Sequence, residues 1–259
     1  MTKKEKTDYT IHAVSDALDI LEQFHDEVDE FGVAELSRSL KLHKNKVFRL
    51  LATLESRDYI EQNVNTGNYR LGLKNLHLGQ TFSKQMGLLR QARPVQESLT
   101  RECNETSYVA FMKDFQVICL NAVESDLPVR VVPRVGEKLP IYCTAAGKVF
   151  AASLSEETLR DYLHAGELKK YTKNTISDPD ELASHLRSIP SLGYAVDNEE
   201  LDVDVKCVGA PIRDFTRHIV GAVSISGPSM RLSAQRIDHE LIPLIKKAAE
   251  EISIRLGFY

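Results

Sequence analysis

Two groups of residues have types and spacings that can do chemistry. The first lies in the C-terminal two thirds of the chain. Ser224 and Ser226 alternate in an apolar run, so in a strand both hydroxyls share one face. Cys207 sits in a second such run and Asp197 follows a third. Ala145, Ala146 and Gly147 stand where a loop enters a helix. Free amides at a helix start attract an anion through unpaired donors and the dipole, and small residues let a ligand approach the backbone closely. Brought together, these groups would bind a small organic acid by its carboxylate. Tyr142, with Tyr108, Phe111 and Met112, would add an apolar rim suited to an aromatic or medium-sized acid. Each residue also has a plainer use. Cys207 can be a small buried hydrophobe. Asp197 can cap a turn or pair with Arg213, the serines can bond their strand neighbours, and the rim can be ordinary core.

Covalent chemistry is the alternative. A Cys207 nucleophile would need a base that only the fold can bring to it, and no spacing singles out His164, His185, His218 or His239. Gly147-Lys148 is not a phosphate loop, because the upstream glycine would fall at Tyr142 and Val149 replaces Ser or Thr. Ser224-Ile-Ser-Gly-Pro is not a nucleophile elbow. The cysteines at 103, 119, 143 and 207 form no CxxC pair. We therefore expect no catalytic residue, no metal, no cofactor and no enzymatic activity, with a Cys hydrolase or a plain ligand carrier as the alternatives.

The second group is basic. Net charge is −4, yet residues 37–93 hold eleven Lys or Arg against three Asp or Glu. Residues 1–36 hold three against ten, and 94–259 nineteen against twenty-four. A basic stretch confined to one segment is what phosphate neutralisation requires, although a solvated charged face reads the same way. Within it, His43, Lys44, Asn45, Lys46 and Arg49 cluster in one short stretch. Arg and Lys donate to guanine and Asn pairs with adenine. Lys44 and Lys46 suit phosphates equally well, and Arg49 has Glu55 and Asp58 as alternative partners. Arg38, Lys41 and Arg70 are further phosphate candidates, and Thr66 and Asn68 lie at a turn that can reach backbone or minor groove.

The elements that must position these groups follow from periodicity. Val14, Ala17, Leu18, Leu21 and Phe24 form an apolar stripe for a first helix at 13–24, with Ser15 and Asp16 in its first turn. Short and longer helices at 33–40 and 44–57, joined at 41–43, match a helix-turn-helix. Runs at 59–63 and 68–71 flank a Val-Asn-Thr-Gly turn and form a hairpin, a wing. Residues 73–93 are helical in pattern and end near Pro94, a connector able to serve as a dimer contact. Beyond it, a helix at 95–103 leads to strands at 107–112, 117–123 and 129–132. Helices at 145–153, 156–163 and 178–188 come next, then strands at 194–197, 205–212 and 219–226, and a helix at 233–256. That order predicts an α+β domain with a mainly antiparallel sheet. The polar start has no signal-peptide core, and no apolar run is long enough for a bilayer, so a cytoplasmic protein without membrane contact is expected.

Six strings, in order, resemble the IclR family of bacterial regulators. They are Ala13-Val-Ser-Asp-Ala-Leu-Asp-Ile-Leu, Val47-Phe-Arg-Leu-Leu-Ala-Thr-Leu, Tyr69-Arg-Leu-Gly-Leu, Leu139-Pro-Ile-Tyr-Cys-Thr-Ala-Ala-Gly-Lys, Gly193-Tyr-Ala-Val-Asp-Asn-Glu-Glu and Ser224-Ile-Ser-Gly-Pro. The resemblance implies a winged helix-turn-helix at 1–73, a connector helix at 74–93 and a GAF-like effector-binding domain at 94–259. It implies a repressor that binds a palindromic double-stranded operator as a homodimer or homotetramer, controlled by a small carboxylate. The family's ligand-contacting positions fall on the backbone of Ala145 and Ala146 and on Asp197, Cys207, Ser224 and Ser226. One departure is local: Asn45 and Lys46 stand where the family often has Ser or Thr, which bears on the operator sequence and not on the fold.

Overall fold

The structure is a computed structural model that describes residues 10–25, 29–85, 87–166 and 168–259. The polar start, part of the acidic stretch after the first helix, and Met86 in the connector lie outside the described residues. The chain divides into two compact units, Met1–Gln85 and Met86–Tyr259.

In the first unit, α1 (His12–Leu21), α2 (Val33–Ser39) and α3 (Lys44–Glu55) precede a two-stranded antiparallel hairpin, β1 (Ile60–Gln62) and β2 (Tyr69–Leu71), and α4 (Leu73–Gln85). Their shared core is Ile20, Leu36, Val47, Leu51, Leu54, Ile60 and Tyr69. Helical spacing explains α3: Val47, Leu51 and Leu54 fall on one face and are buried. Two expectations for α1 need correction. Ser15 and Asp16 do not cap it, since its N-cap is Ile11 without a side-chain bond; Asp16 instead makes an ion pair with Lys46 of α3. The apolar stripe is also split. Ile20, Ala17, Leu21 and Phe24 meet the core, while Val14 and Leu18, at one edge of the apolar arc, are exposed.

The second unit is built on a six-stranded antiparallel sheet in the order β5-β4-β3-β8-β7-β6. The strands are β3 (Thr106–Lys113), β4 (Gln116–Val123), β5 (Lys138–Pro140), β6 (Ala195–Asn198), β7 (Val205–Arg213) and β8 (Ile219–Pro228). One face carries Val109, Val208, Ala210, Ile212, Val223 and Ile225. It packs against α5 (Gly87–Cys103) and a C-terminal helix made of α9 (Ala234–Arg236), a π segment (Ile237–Leu241) and α10 (Ile242–Arg255). The other face meets α6 (Ala145–Ala151), α7 (Glu156–His164) and α8 (Pro179–Leu192) through Ala110, Val117, Ala195 and Ala222. Alternation along each strand thus feeds two cores, one on each side of the sheet.

Two further expectations change. Residues 129–132 form no strand; the Val129 and Val131 carbonyls accept from Arg231 and the Thr106 hydroxyl instead of a ladder. Pro94 neither ends nor begins a helix but lies inside α5. Leu88, Leu89 and Ala92, at the end of the expected connector, are buried in the core of the second unit, so the compact C-terminal unit begins before residue 94.

Candidate effector pocket and DNA-binding surface

Strand register assembles the predicted site. Thr106 pairs with Ser226, Ser226 with Cys207, and Cys207 with Asp197, a row across β3, β8, β7 and β6. The next row is Tyr108, Ser224, Gly209 and Ala195. Directly paired residues share a face, so the hydroxyls of Thr106, Ser224 and Ser226, the Cys207 thiol and the Asp197 carboxyl point to one side, the side covered by α6. The Cys207 thiol donates to Ser226 Oγ at 3.1 Å. Ser224, Ser226 and Asp197 are buried.

Gly209 brings α6 down onto this face. A Cβ there would stand 3.1 Å from the carbonyl carbon of Ala145 and the amide nitrogen of Ala146. Both residues therefore lie against the second row through their backbone. Thr144 caps the helix by accepting from Gly147 N–H at 3.1 Å. Gly147 has a different role from the one expected: the Ile141 carbonyl oxygen and the Thr144 hydroxyl occupy the space a Cβ would need, so its smallness serves the turn into α6 and not a ligand. Tyr142 donates its hydroxyl to the Lys169 carbonyl at 2.7 Å, a bond within the helical layer. Phe111 alternates with Ala110 and Met112, which pack on the α6 side, and so faces the opposite side of the sheet; Tyr108 is the aromatic residue that stays beside the row.

Charge beneath the row is balanced by pairs. Lys148 is fully buried in α6, with its ammonium 2.5 Å from Glu200 Oε1 and 3.3 Å from His185 Nε2. Burial, then the Lys148 charge, lowers the His185 pKa. Asp197 Oδ1 accepts from the Glu200 N–H at 2.7 Å, the turn-capping bond its position allows. Burial pushes the Asp197 carboxyl up to about 7, with Glu200 and Asp202 adding to the rise and Lys148 opposing it. Burial chiefly, and then Asp197, pushes the Cys207 thiol up as well. Neither Lys148 nor Glu200 carried a signal from spacing alone, because the pairing spans 52 residues.

In the first unit, Arg38, Lys41, His43, Lys44, Asn45 and Arg49 are exposed. Among the described residues, the only side-chain bond of this set is from Arg38 Nε to the Ala34 carbonyl. His43 is the N-cap of α3 without a side-chain cap bond, and among the described residues Arg49 pairs with neither Glu55 nor Asp58. Three predicted contacts are engaged within the unit. Lys46 pairs with Asp16, the Thr66 hydroxyl donates to Glu30 at 2.8 Å, and Arg70 pairs with Glu61 at 2.6 Å. Asn68 is half-buried beside them. Phe48, between Asn45 and Arg49 on α3, is 56% exposed. Sequence reasoning left it unassigned, although an aromatic one turn from Lys44 and off the buried Val47/Leu51/Leu54 face carries the signal.

A family model described as the IclR helix-turn-helix domain matches residues 13–64, and one described as the bacterial transcriptional regulator IclR C-terminal matches 80–254. The HTH-type transcriptional regulator KdgR of Escherichia coli is 28% identical over 98% of this chain and 96% of its own length. The HTH-type transcriptional repressor AllR of the same organism is 30% identical over 95% of this chain and 90% of its own. The crystal structure of the Thermotoga maritima IclR superposes with a TM-score of 0.83 at 29% identity, covering 96% of this chain and 100% of that one. A C-terminal model spanning well over half the residues, and relatives matched along nearly the whole chain, show that it belongs to the IclR family of bacterial transcriptional regulators, which bind DNA through the helix-turn-helix and small molecules through the C-terminal domain.

Proposed function

We propose that this regulator is a repressor whose operator affinity is set by a small carboxylate bound between the Thr106–Asp197 row and the start of α6. The observation that carries the reading is the strand register, with Asp197, Cys207, Ser224 and Ser226 in neighbouring rows on one buried face. Hydroxyls inside a core cost free energy unless they bond; a ligand with two acceptor oxygens would take the Ser224 and Ser226 hydroxyl protons, and the raised pKa of Asp197 lets its carboxyl donate as well. Ala145 and Ala146 add backbone contacts from above. The same surroundings disfavour a Cys207 nucleophile, which needs a lowered thiol pKa where this site raises it.

Operator contact falls to the exposed face of α3. Lys44, Asn45, Phe48 and Arg49 read or position, with Phe48 suited to a thymine methyl; His43, Arg38 and Lys41 contact phosphates. Lys46, Thr66 and Arg70 would first have to leave their partners. The exposed apolar residues Ile11, Val14 and Leu18 at α1, and Leu73 and Leu76 on α4, support self-association on a palindromic site. Effector binding is linked to DNA through the sheet. Gly221 of β8, the strand that carries both serines, lies against Leu88 of α5, and α5 follows α4 along the chain. The coupling equals the effector's difference in affinity for the two DNA-binding states.

The test uses the full chain and fragments of its own upstream DNA. Ser224→Ala/Ser226→Ala is expected to keep operator binding and to raise the carboxylate concentration needed for release at least tenfold. Unchanged response in the double variant would remove this face from the effector site.

A further inference from the structure

Segment 124–137, between β4 and β5, has no ladder of its own, yet it is pinned to β3 and β4 at the Thr106 end of the row. Near one end, Thr106 Oγ1 donates to the Val131 carbonyl at 3.2 Å and accepts from the Ser125 N–H at 3.2 Å. Further along, Arg134 Nη2 reaches both carboxylate oxygens of Asp202, at 3.1 and 3.2 Å. Gly136 then returns to β4, donating to the Cys119 carbonyl at 2.8 Å. Thr106 opens the row and Asp202 follows β6, which closes it. Val135 bridges Cys119 of β4 as well, so the backbone stays beside β3 and β4 and the Arg134 side chain alone reaches to Asp202.

The cations around this end of the sheet differ in how tightly they are held. Lys148 is buried on Glu200, and Arg231 and Arg236 are locked on the buried Glu105 at 2.6 and 2.9 Å. The Arg134–Asp202 pair is different, with side-chain exposures of 43% and 38%, and an exposed pair contributes little. Among the described residues, only one guanidinium nitrogen is committed to it within 3.5 Å; Nε lies 4.0 Å from Glu137. The rest of the fork is available for a planar carboxylate. Its charge also reaches the pocket, since it opposes the rise that burial imposes on the Tyr108 phenol beside Ser224. The pocket needs such a group. Its floor offers hydroxyls, a thiol and a carboxyl, and a carboxylate buried among them without a counter-charge is costly. Burial chiefly raises Asp197 and Cys207, and the Asp202 charge adds to both, so Asp202 stands close enough for its field to oppose an incoming anion.

We propose that Arg134 is the effector's counter-ion, that Asp202 is a built-in competitor holding its place until an effector arrives, and that an organic carboxylate exchanges with Asp202 on the guanidinium. The proposal rests on the carboxylate reading of the pocket. Nothing covalent changes; one ion pair replaces another, and the strap that carries Arg134 is drawn onto the ligand.

Calorimetric titration of the full chain with a panel of monocarboxylates and dicarboxylates, from acetate to benzoate, each beside its neutral amide, supplies the probe. Asp202→Asn is expected to tighten the best binder three- to tenfold, and Arg134→Gln to weaken it at least tenfold. In the double variant, Asp202→Asn should no longer matter, because a competitor has nothing left to compete for; a purely long-range field would persist. Both side chains are half-exposed, and unchanged melting temperatures would establish that the variants fold. An Asp202→Asn effect of equal size with and without Arg134 would overturn the exchange. Binding indifferent to both substitutions would overturn the assignment of Arg134 while leaving the pocket standing. Failure of every carboxylate to bind would overturn the carboxylate reading, and this proposal with it.

Discussion

At the scale of single residues, the sensor domain is governed by buried charge. Lys148, Glu200 and Asp197 give one ammonium and two carboxyls inside the protein, and Glu200 Oε2 is buried without a partner among the described residues. Protonating Asp197 brings the group to neutrality, in keeping with its raised pKa of about 7. The folded state then binds more protons than the unfolded chain between about pH 4 and 7, so this residue's contribution to stability falls as pH climbs through that window. Urea unfolding should show wild type losing up to about 4 kcal/mol relative to Asp197→Asn over that range, at about 1.4 kcal/mol per unit. Parallel curves for the two proteins would mean that Asp197 titrates as an ordinary surface carboxyl. Lys148→Met should cost about 3–5 kcal/mol by stranding Glu200, and adding Glu200→Leu should recover most of it. A double variant no more stable than the single would show that Lys148 matters through packing and not through its charge.

Among elements, α6 is the one that lies over the row of Tyr108, Ser224, Gly209 and Ala195. All seven of its residues are buried, and it rests on Gly209 by backbone. Gly209→Ala would force the backbone of Ala145 and Ala146 away, since neither atom at 3.1 Å can rotate aside. We expect a loss of about 1–3 kcal/mol from the sensor domain and loss of carboxylate response, with the first unit still folded and DNA-binding. Gly221→Ala meets chiefly the tip of Leu88, at 2.8 Å, and should be milder. Calorimetric melting of both variants, with operator binding in parallel, checks the pair; equal effects would mean that α6 adjusts as easily as a side chain. The hairpin joining β3 and β4 depends instead on local backbone. Asp114 and Phe115 both have positive φ, at 52° and 56°, the conformation that a two-residue turn needs to match strand twist.

For the molecule as a whole, function divides along the chain. The basic segment lies mainly in the first unit, and the sensor core in the second. Operator binding should therefore weaken steeply with salt, and Lys44→Ala or Arg49→Ala should each reduce the slope of log K against log salt by about 1 if the side chain neutralises a phosphate. Lys46→Ala is expected to do less, because its ammonium is already engaged by Asp16. A slope reduced equally by all three would show that the Lys46 pair opens on DNA.

The linear pattern of residues determined most of the element order, the helix-turn-helix and wing and the antiparallel sheet, but not β5. These depend on local periodicity and on turn chemistry, which are written within a few residues of each other. The grouping of Asp197, Cys207, Ser224 and Ser226 came from the family resemblance. Tertiary structure decided which faces meet. It showed that Val14 and Leu18 stay outside the core, that residues 129–132 form a strap and not a strand, and that α5 runs through Pro94 into the sensor core. It alone paired Lys148 with Glu200, Lys46 with Asp16 and Arg134 with Asp202. Lys148 and Glu200 lie 52 residues apart, and Arg134 and Asp202 68. No propensity or spacing rule reaches that far; only packing brings such charges within a few ångströms, where desolvation and Coulomb attraction choose among them.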